Sequence, residues 1–268
     1  TNKVNNTFHS KMNDLSKVIE DHAQQFNSKW IHAASNYENA LPGLMASRRL
    51  GLPFVYEMRG LWHYTHSVQN SFWKNSDRFH LDEMMEKFVC TNADKVFVIS
   101  TALKSYLITN YEIPSEKIFL LKNSNLDVGH HHQKSPRASL NKAVGYLGSL
   151  TDYEGLDSLI DAISILNQRG TPFDLKICGK GPAESSLKAK VKELKLEKIV
   201  RFYKPIAPAR VNEFYDGVDF VVLPRLKNDL TQLIPPLKVV EALQYKVPVL
   251  ASKLAPIEDL AQNRPAIC

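Results

Sequence analysis

Cysteine is scarce in this chain. Three occur among 268 residues, at Cys90, Cys178 and Cys268, widely spaced and odd in number. That usage fits reduced thiols in a cytosolic protein better than a disulfide framework or a cysteine zinc site. Long apolar runs are also missing. No stretch approaches the roughly 18 residues of a membrane span, and the polar opening TNKVNNTFHS is no secretory signal. Acidic residues are outnumbered, 28 against 34 basic, for a formal net charge of +6. A modest basic surplus suits anionic partners: nucleotides, lipid phosphates or an acidic bilayer surface. It comes without a Lys/Arg block or aromatic–basic alternation, so nucleic acid is not an expected partner. GxGxxG, the Walker loop, Asp-x-Asp and paired carboxylates of the glycosidase type are all absent.

What is present is a rhythm. The chain is 44% hydrophobic and 23% charged, enough for one large domain or two ordinary ones. Short apolar runs alternate with helical patterns. In the first half the strand-like runs are 30–34, 53–57, 95–100 and 117–123. Between them Leu81, Met84, Met85, Phe88 and Val89 are spaced for one helix face, and Ser100 reads as an N-cap. In the second half the runs are 143–148, 173–179, 199–203, 218–224 and 247–252. The clearest helix spans 156–168, with Leu156, Leu159, Ile160, Ile163 and Leu166 on its apolar face. Repeated strand–helix units predict parallel sheets covered by helices. The polar stretch 128–142 reads as a linker between residues 1–127 and 143–268. Its His130, His131 and His132 are metal candidates in type, but no acidic or cysteine partner lies near them in sequence, which favours an ordinary polar loop.

In open parallel sheets, ligands bind at the carboxyl ends of the strands. Three loops qualify. Gly148 and Gly155 bracket a turn into a helix, which serves either as a phosphate-binding loop or as a plain connection. Gly179, Lys180 and Gly181 allow close backbone approach. After 218–224, Arg225 stands past the strand end and Pro235–Pro236 opens a helix. Lys238 and Glu241, three apart, share a face of that helix, as a surface ion pair or as ligand-binding groups.

In order, GYLGSL, YEGLDSLIDAI, LKICGKGP, VRFY, VNEFYDGVDFVVLP and PPLKVVEALQYKVPVLAS resemble the C-terminal nucleotide-sugar domain of glycosyltransferase family 4. Residues 32–62 and 93–107 resemble the second half of that family's N-terminal domain. The resemblance implies a GT-B fold: two Rossmann-like parallel-sheet α/β domains facing a cleft. It implies that Glu241 is the second Glu of a Glu-x7-Glu motif and binds the donor ribose, while the backbone at Pro236, Leu237 and Lys238 faces the diphosphate. Gly148, Ser149, Gly179, Lys180, Gly181 and Arg201 complete the expected donor side. His32, Asn36 and Asn39 are expected on the acceptor side.

Departures from the family pattern matter as much. The first Glu of the motif falls at Leu233. The family's Arg and Lys after the first strand of this domain are replaced by Ser149 and Glu154, so the cations must come from elsewhere, and Arg225 and Lys238 are the candidates. A family histidine aligns near Arg59, which serves catalysis or pairs with Glu57. The missing initiator Met and the missing opening strand point to a longer protein.

The resemblance implies a retaining, metal-independent glycosyltransferase without a cofactor. It would use a nucleotide-diphosphate sugar and a saccharide or lipid-linked acceptor in bacterial capsule or lipopolysaccharide assembly. Its place would be cytoplasmic, at the inner face of the membrane as a peripheral protein. Two other readings stay open: a catalytically silent nucleotide-binding module, and a sugar-nucleotide epimerase using His32 and Glu57.

Overall fold

The computed structural model describes residues 7–124 and 142–262. The chain divides into two compact units, Thr1–Lys122 and Asn123–Cys268. The expected linker 128–142, with its three histidines, lies outside the described residues except for Lys142, which opens a strand. Cys268 lies outside them as well. Cys90 and Cys178 are buried free thiols.

The first unit runs α1 (Phe8–Gln25), β1 (Ile31–Ser35), α2 (Tyr37–Leu50), β2 (Phe54–Met58), α3 (Trp62–Gln69), α4 (Asp77–Asn92), β3 (Lys95–Val98), α5 (Thr101–Asn110) and β4 (Ile118–Leu120). Its sheet has the order β1-β2-β3-β4, all parallel. Side chains cap the helices where short polar residues precede them. Asn36 accepts from Asn39 N–H, Ser76 from Phe79 N–H and Ser100 from Leu103 N–H, each satisfying a donor that the first helical turn leaves unpaired.

One expectation fails inside α4. The helix forms, but Leu81, Met84 and Phe88 are exposed, while Asp82 and Glu86 are buried with Val89 and Cys90. Tyrosines make that burial tolerable. Tyr37 OH donates to Asp82 at 2.8 Å, Tyr56 OH donates to Glu86 at 2.7 Å, and Tyr37 N–H donates to Glu86 at 2.8 Å. Apolar spacing identified the helix but not the face it buries.

The second unit runs β5 (Lys142–Leu147), α6 (Leu156–Gln168), β6 (Phe173–Cys178), α7 (Glu184–Glu193), β7 (Val200–Tyr203), α8 (Val211–Asp216), β8 (Phe220–Leu223), α9 (Leu237–Gln244), β9 (Val249–Ala251) and α10 (Ala255–Ala261). Its sheet is parallel with the order β7-β6-β5-β8-β9. Leu156, Leu159, Ile160 and Ile163 of α6 are buried in a core shared with Tyr146 and Ile177. Burying such side chains contributes about 1.5–3 kcal/mol each. Among the described residues no helix is long and apolar enough to cross a membrane.

Candidate functional site

The strand order of the second unit fixes where a ligand belongs. The chain steps outward from β5 to β6 and β7, then returns to β8 on the other side of β5. Such a reversal leaves a crevice at the carboxyl ends of the two central strands. Three loops meet there. Gly148 N–H donates to Cys178 O at 2.9 Å, Leu150 N–H to Lys180 O at 3.0 Å, and Leu226 N–H to Tyr153 O at 2.9 Å. Two glycines are required for this closeness. Gly148 has φ +150° and Gly179 φ +154°; a Cβ on the first would overlap Lys238 Cε, and on the second the Gly148 carbonyl oxygen. Gly181 lies against the Leu150 backbone in the same way.

A buried charge cluster fills the crevice floor. Glu154, at the end of a 3-10 turn (Asp152–Glu154), lies 2.8 Å from Lys238 Nζ and 3.5 Å from Arg225 Nε. Glu154 and Arg225 are 2% and 7% exposed, so neither charge is relieved by bulk water. Lys238 Nζ lies over the Tyr146 ring at 4.9 Å and the Arg225 guanidinium over the Tyr153 ring at 5.5 Å. Arg225 Nη1 donates to Ile234 O at 3.1 Å. Burial pulls the Lys238 ammonium below its ordinary pKa, and the Glu154 carboxylate opposes that shift.

Lys238 therefore pairs with Glu154 rather than with Glu241, which removes the surface ion-pair reading of the two α9 residues. Glu241 is half-buried and its Oε2 accepts from Tyr215 OH at 3.0 Å. Pro236 precedes α9 with no side-chain capping bond, so the first-turn N–H groups, at exposed Leu237 and at Lys238, are not capped by a side chain. Ser149 and Lys180 are exposed at the loop tips; the Ser149 carbonyl accepts from Tyr146 OH at 2.7 Å. Arg201 stands apart from this group, exposed in the first half of edge strand β7 opposite Lys176. Leu233 sits in the loop before α9, which Thr231 organises: its hydroxyl donates to Leu226 O and accepts from Asn228 N–H.

Sequence reasoning recorded Glu154 only as a departure and missed Tyr146, Tyr153 and Tyr215. A carboxylate immediately before the glycine that opens α6, in a loop otherwise expected to be basic, was the available signal.

In the first unit, Glu57 gathers two of the expected residues. Arg59 Nε donates to its Oε1 at 2.7 Å, and His32 Nε2 lies 3.2 Å from its Oε2. Both oxygens are thus engaged, and Arg59 forms the ion pair with Glu57 that the sequence left open. Asn36 is committed to capping α2, and Asn39 lies in the first turn of that helix. Among the described residues no group of three or more His, Cys, Asp or Glu is placed to hold a metal ion.

Two parallel-sheet α/β units, the second with a cation cluster at the reversal point of its sheet, define a protein of the GT-B fold class. Over 92% of this chain and 64% of the other, the fold matches that of Anabaena HepE, solved in complex with UDP and glucose, with a TM-score of 0.71 at 19% identity. The chain belongs to the glycosyl transferases of group 1, whose family model matches residues 127–264; a glycosyl transferase 4-like domain model matches residues 11–124. An uncharacterized glycosyltransferase of Haemophilus influenzae is 27% identical over 179 residues, 65% of this chain and 46% of that protein. The amylovoran biosynthesis glycosyltransferase AmsK of Erwinia amylovora is 30% identical over 119 residues, 42% of this chain and 28% of that protein. The matched segments thus span less than half of either curated relative.

Proposed function

We propose that this chain carries the donor-binding machinery of a retaining, metal-independent glycosyltransferase. It moves a sugar from a nucleoside-diphosphate donor to a hydroxyl of a saccharide or lipid-linked acceptor. The observation that carries the reading is the Glu154–Lys238–Arg225 cluster at the sheet reversal, beside the uncapped start of α9. A departing nucleoside diphosphate gains negative charge in the transition state, and preorganised cations with helix N–H groups stabilise it without a metal ion or cofactor. Glu241 takes the ribose hydroxyls. Both cations lie against Oε1 of the buried Glu154, which marks that carboxylate as their counter-ion, and in the retaining route proposed the leaving phosphate oxygen takes the acceptor proton on the same face. His32 and Asn39 serve the acceptor side, with Asn36 fixing the start of the helix that carries Asn39, and with Arg59 beside His32 on Glu57. The polysaccharide-linked name of the Erwinia relative supports a role in bacterial surface polysaccharide assembly. The basic surplus suits peripheral work at the cytoplasmic face of a membrane.

Calorimetry with UDP-, GDP- and ADP-sugars, followed by product analysis, tests this. A glycoside formed at equal rates with and without EDTA is expected; an epimer, no product, or a strict need for Mg²⁺ or Mn²⁺ contradicts it. Glu241→Ala is expected to weaken both the nucleoside diphosphate and the full donor by about 1.5–3 kcal/mol, because the ribose is common to both. Unchanged affinity in the folded variant removes the ribose assignment. Lys238→Ala is expected to weaken the diphosphate more than the bare nucleoside. Its side chain is 18% exposed, so added salt is expected to screen it less than a surface lysine.

A further inference from the structure

Lys238 is faced by groups from four places in the fold. Glu154 reaches it from the turn after β5, Arg225 from the end of β8, Glu241 from its own helix, and the Tyr146 ring from β5. One of these four is out of place in a site for phosphates. Glu154 brings a negative charge to the floor of the crevice, buried, with the Lys238 ammonium 2.8 Å away. A carboxylate at this point repels an incoming anion, so it is a cost unless it does something for the cations before the anion arrives.

The surroundings show what that is. Lys238 is largely buried and shares the floor with Arg225, and desolvation and the neighbouring guanidinium both favour loss of its proton. The Tyr146 ring offers only a weak attraction, and its hydroxyl is held protonated by burial. Glu154 is the carboxylate in hydrogen-bonding range of the ammonium and also the nearest anion to the guanidinium, whose buried Nε makes no hydrogen bond.

We infer that Glu154 is a positioning residue, a built-in counter-ion that keeps Lys238 charged and aimed at the crevice until the phosphates of a nucleoside diphosphate take over that role. The inference rests on the donor-site reading above. It accounts for an acidic residue in a loop where cations are expected: the positive charge has moved to β8 and α9, and the acid beneath holds it in place.

The test reads protons. Binding of UDP, GDP and ADP is measured by calorimetry at pH 8 in buffers of different ionisation enthalpy, which gives the number of protons taken up per ligand. The wild-type protein is expected to take up close to none. In Glu154→Gln, Lys238 loses the charge that retains its proton, so binding is expected to bring up to about one proton, with affinity falling about tenfold per pH unit as pH rises. Glu154→Asp, which keeps the charge, is expected to restore the wild-type proton count.

A second comparison does not need the Gln variant to fold alone. Lys238→Met leaves Glu154 facing the phosphates with only Arg225 between them. The charge-balanced double variant, Glu154→Gln with Lys238→Met, is then expected to bind UDP several-fold more tightly than Lys238→Met. If the wild-type protein binds none of the three nucleotides, the donor-site reading fails and takes this inference with it. If it binds them while Glu154→Gln shows the wild-type proton count and pH profile, or the double variant is no better than Lys238→Met, Glu154 is only structural and this inference alone falls.

Discussion

At the scale of single residues, the first unit hides two titratable groups that work against each other. Glu86 is buried, and burial lifts its carboxyl from 4.5 to about 7 in spite of hydrogen bonds from Tyr56 and Tyr37. His63 is buried between Tyr64 and Phe79 with neither ring nitrogen hydrogen-bonded, and burial lowers its pKa from 6.5 to about 4. The signs are opposite. The folded protein holds the Glu86 proton more tightly than the unfolded chain, so that contribution is full below pH 4.5 and lost as pH rises through about 7. The folded protein holds the His63 proton more weakly, so its contribution is full above pH 6.5 and lost as pH falls through about 4. Across the shared window the two largely cancel. Glu86→Gln is therefore expected to uncover the histidine: stability of this unit should rise by up to about 3 kcal/mol between pH 4 and 6.5. Urea unfolding followed by tryptophan fluorescence measures it cleanly, because Trp30, Trp62 and Trp73 all lie in the first unit. A profile as flat as the wild type's counts against the assignment. Nothing in the sequence pointed to this pair, because a histidine and a glutamate at helical spacing read as surface residues until the tyrosines and rings around them are known.

At the scale of elements, the loops differ more than the strands they connect. All nine strand-like runs became strands among the described residues, with ends shifted by one to three residues, and α6 matches its expected span. Parallel strands buried on both faces must be nearly continuous apolar runs, so their positions show in the sequence. Loop glycines look alike there, yet their surroundings separate them. Gly51 ends α2 in the left-handed region at φ +65° with nothing within 4 Å of a would-be Cβ. Gly51→Ala is expected to cost only the left-handed penalty, about 1–2 kcal/mol. Gly179 combines φ +154° with backbone packed against its α-carbon. Gly179→Ala is expected to cost about 3 kcal/mol or more and to lower nucleotide affinity, because the Gly148 loop must give way. Urea unfolding read by far-UV circular dichroism, with calorimetry beside it, separates the two; equal and small losses would mean that the loop crossing is slack.

At the scale of the whole molecule, every residue assigned to the donor side lies in the second unit, with a core of its own drawn from Val144 to Leu260. Residues 123–268 produced alone are expected to unfold cooperatively and to bind a nucleoside diphosphate within about tenfold of the full chain, as expected of a unit with its own core. A fragment that folds but does not bind would show that the donor site needs residues from the first unit. The sequence by itself determined the parallel α/β class and the strand positions, because these depend on local patterns of apolar residues, glycine and proline; the family was legible through the resemblance of its ordered motifs. It offered Arg225 and Lys238 as candidates for the missing cations but left open what they meet. Only the tertiary structure decided that Lys238 pairs with Glu154 and not with its helix neighbour Glu241, and that α4 buries its acids instead of its methionine face. Those choices depend on which distant loops the sheet order brings together and on whether a buried charge finds a partner there, and neither is a property of neighbours along the chain.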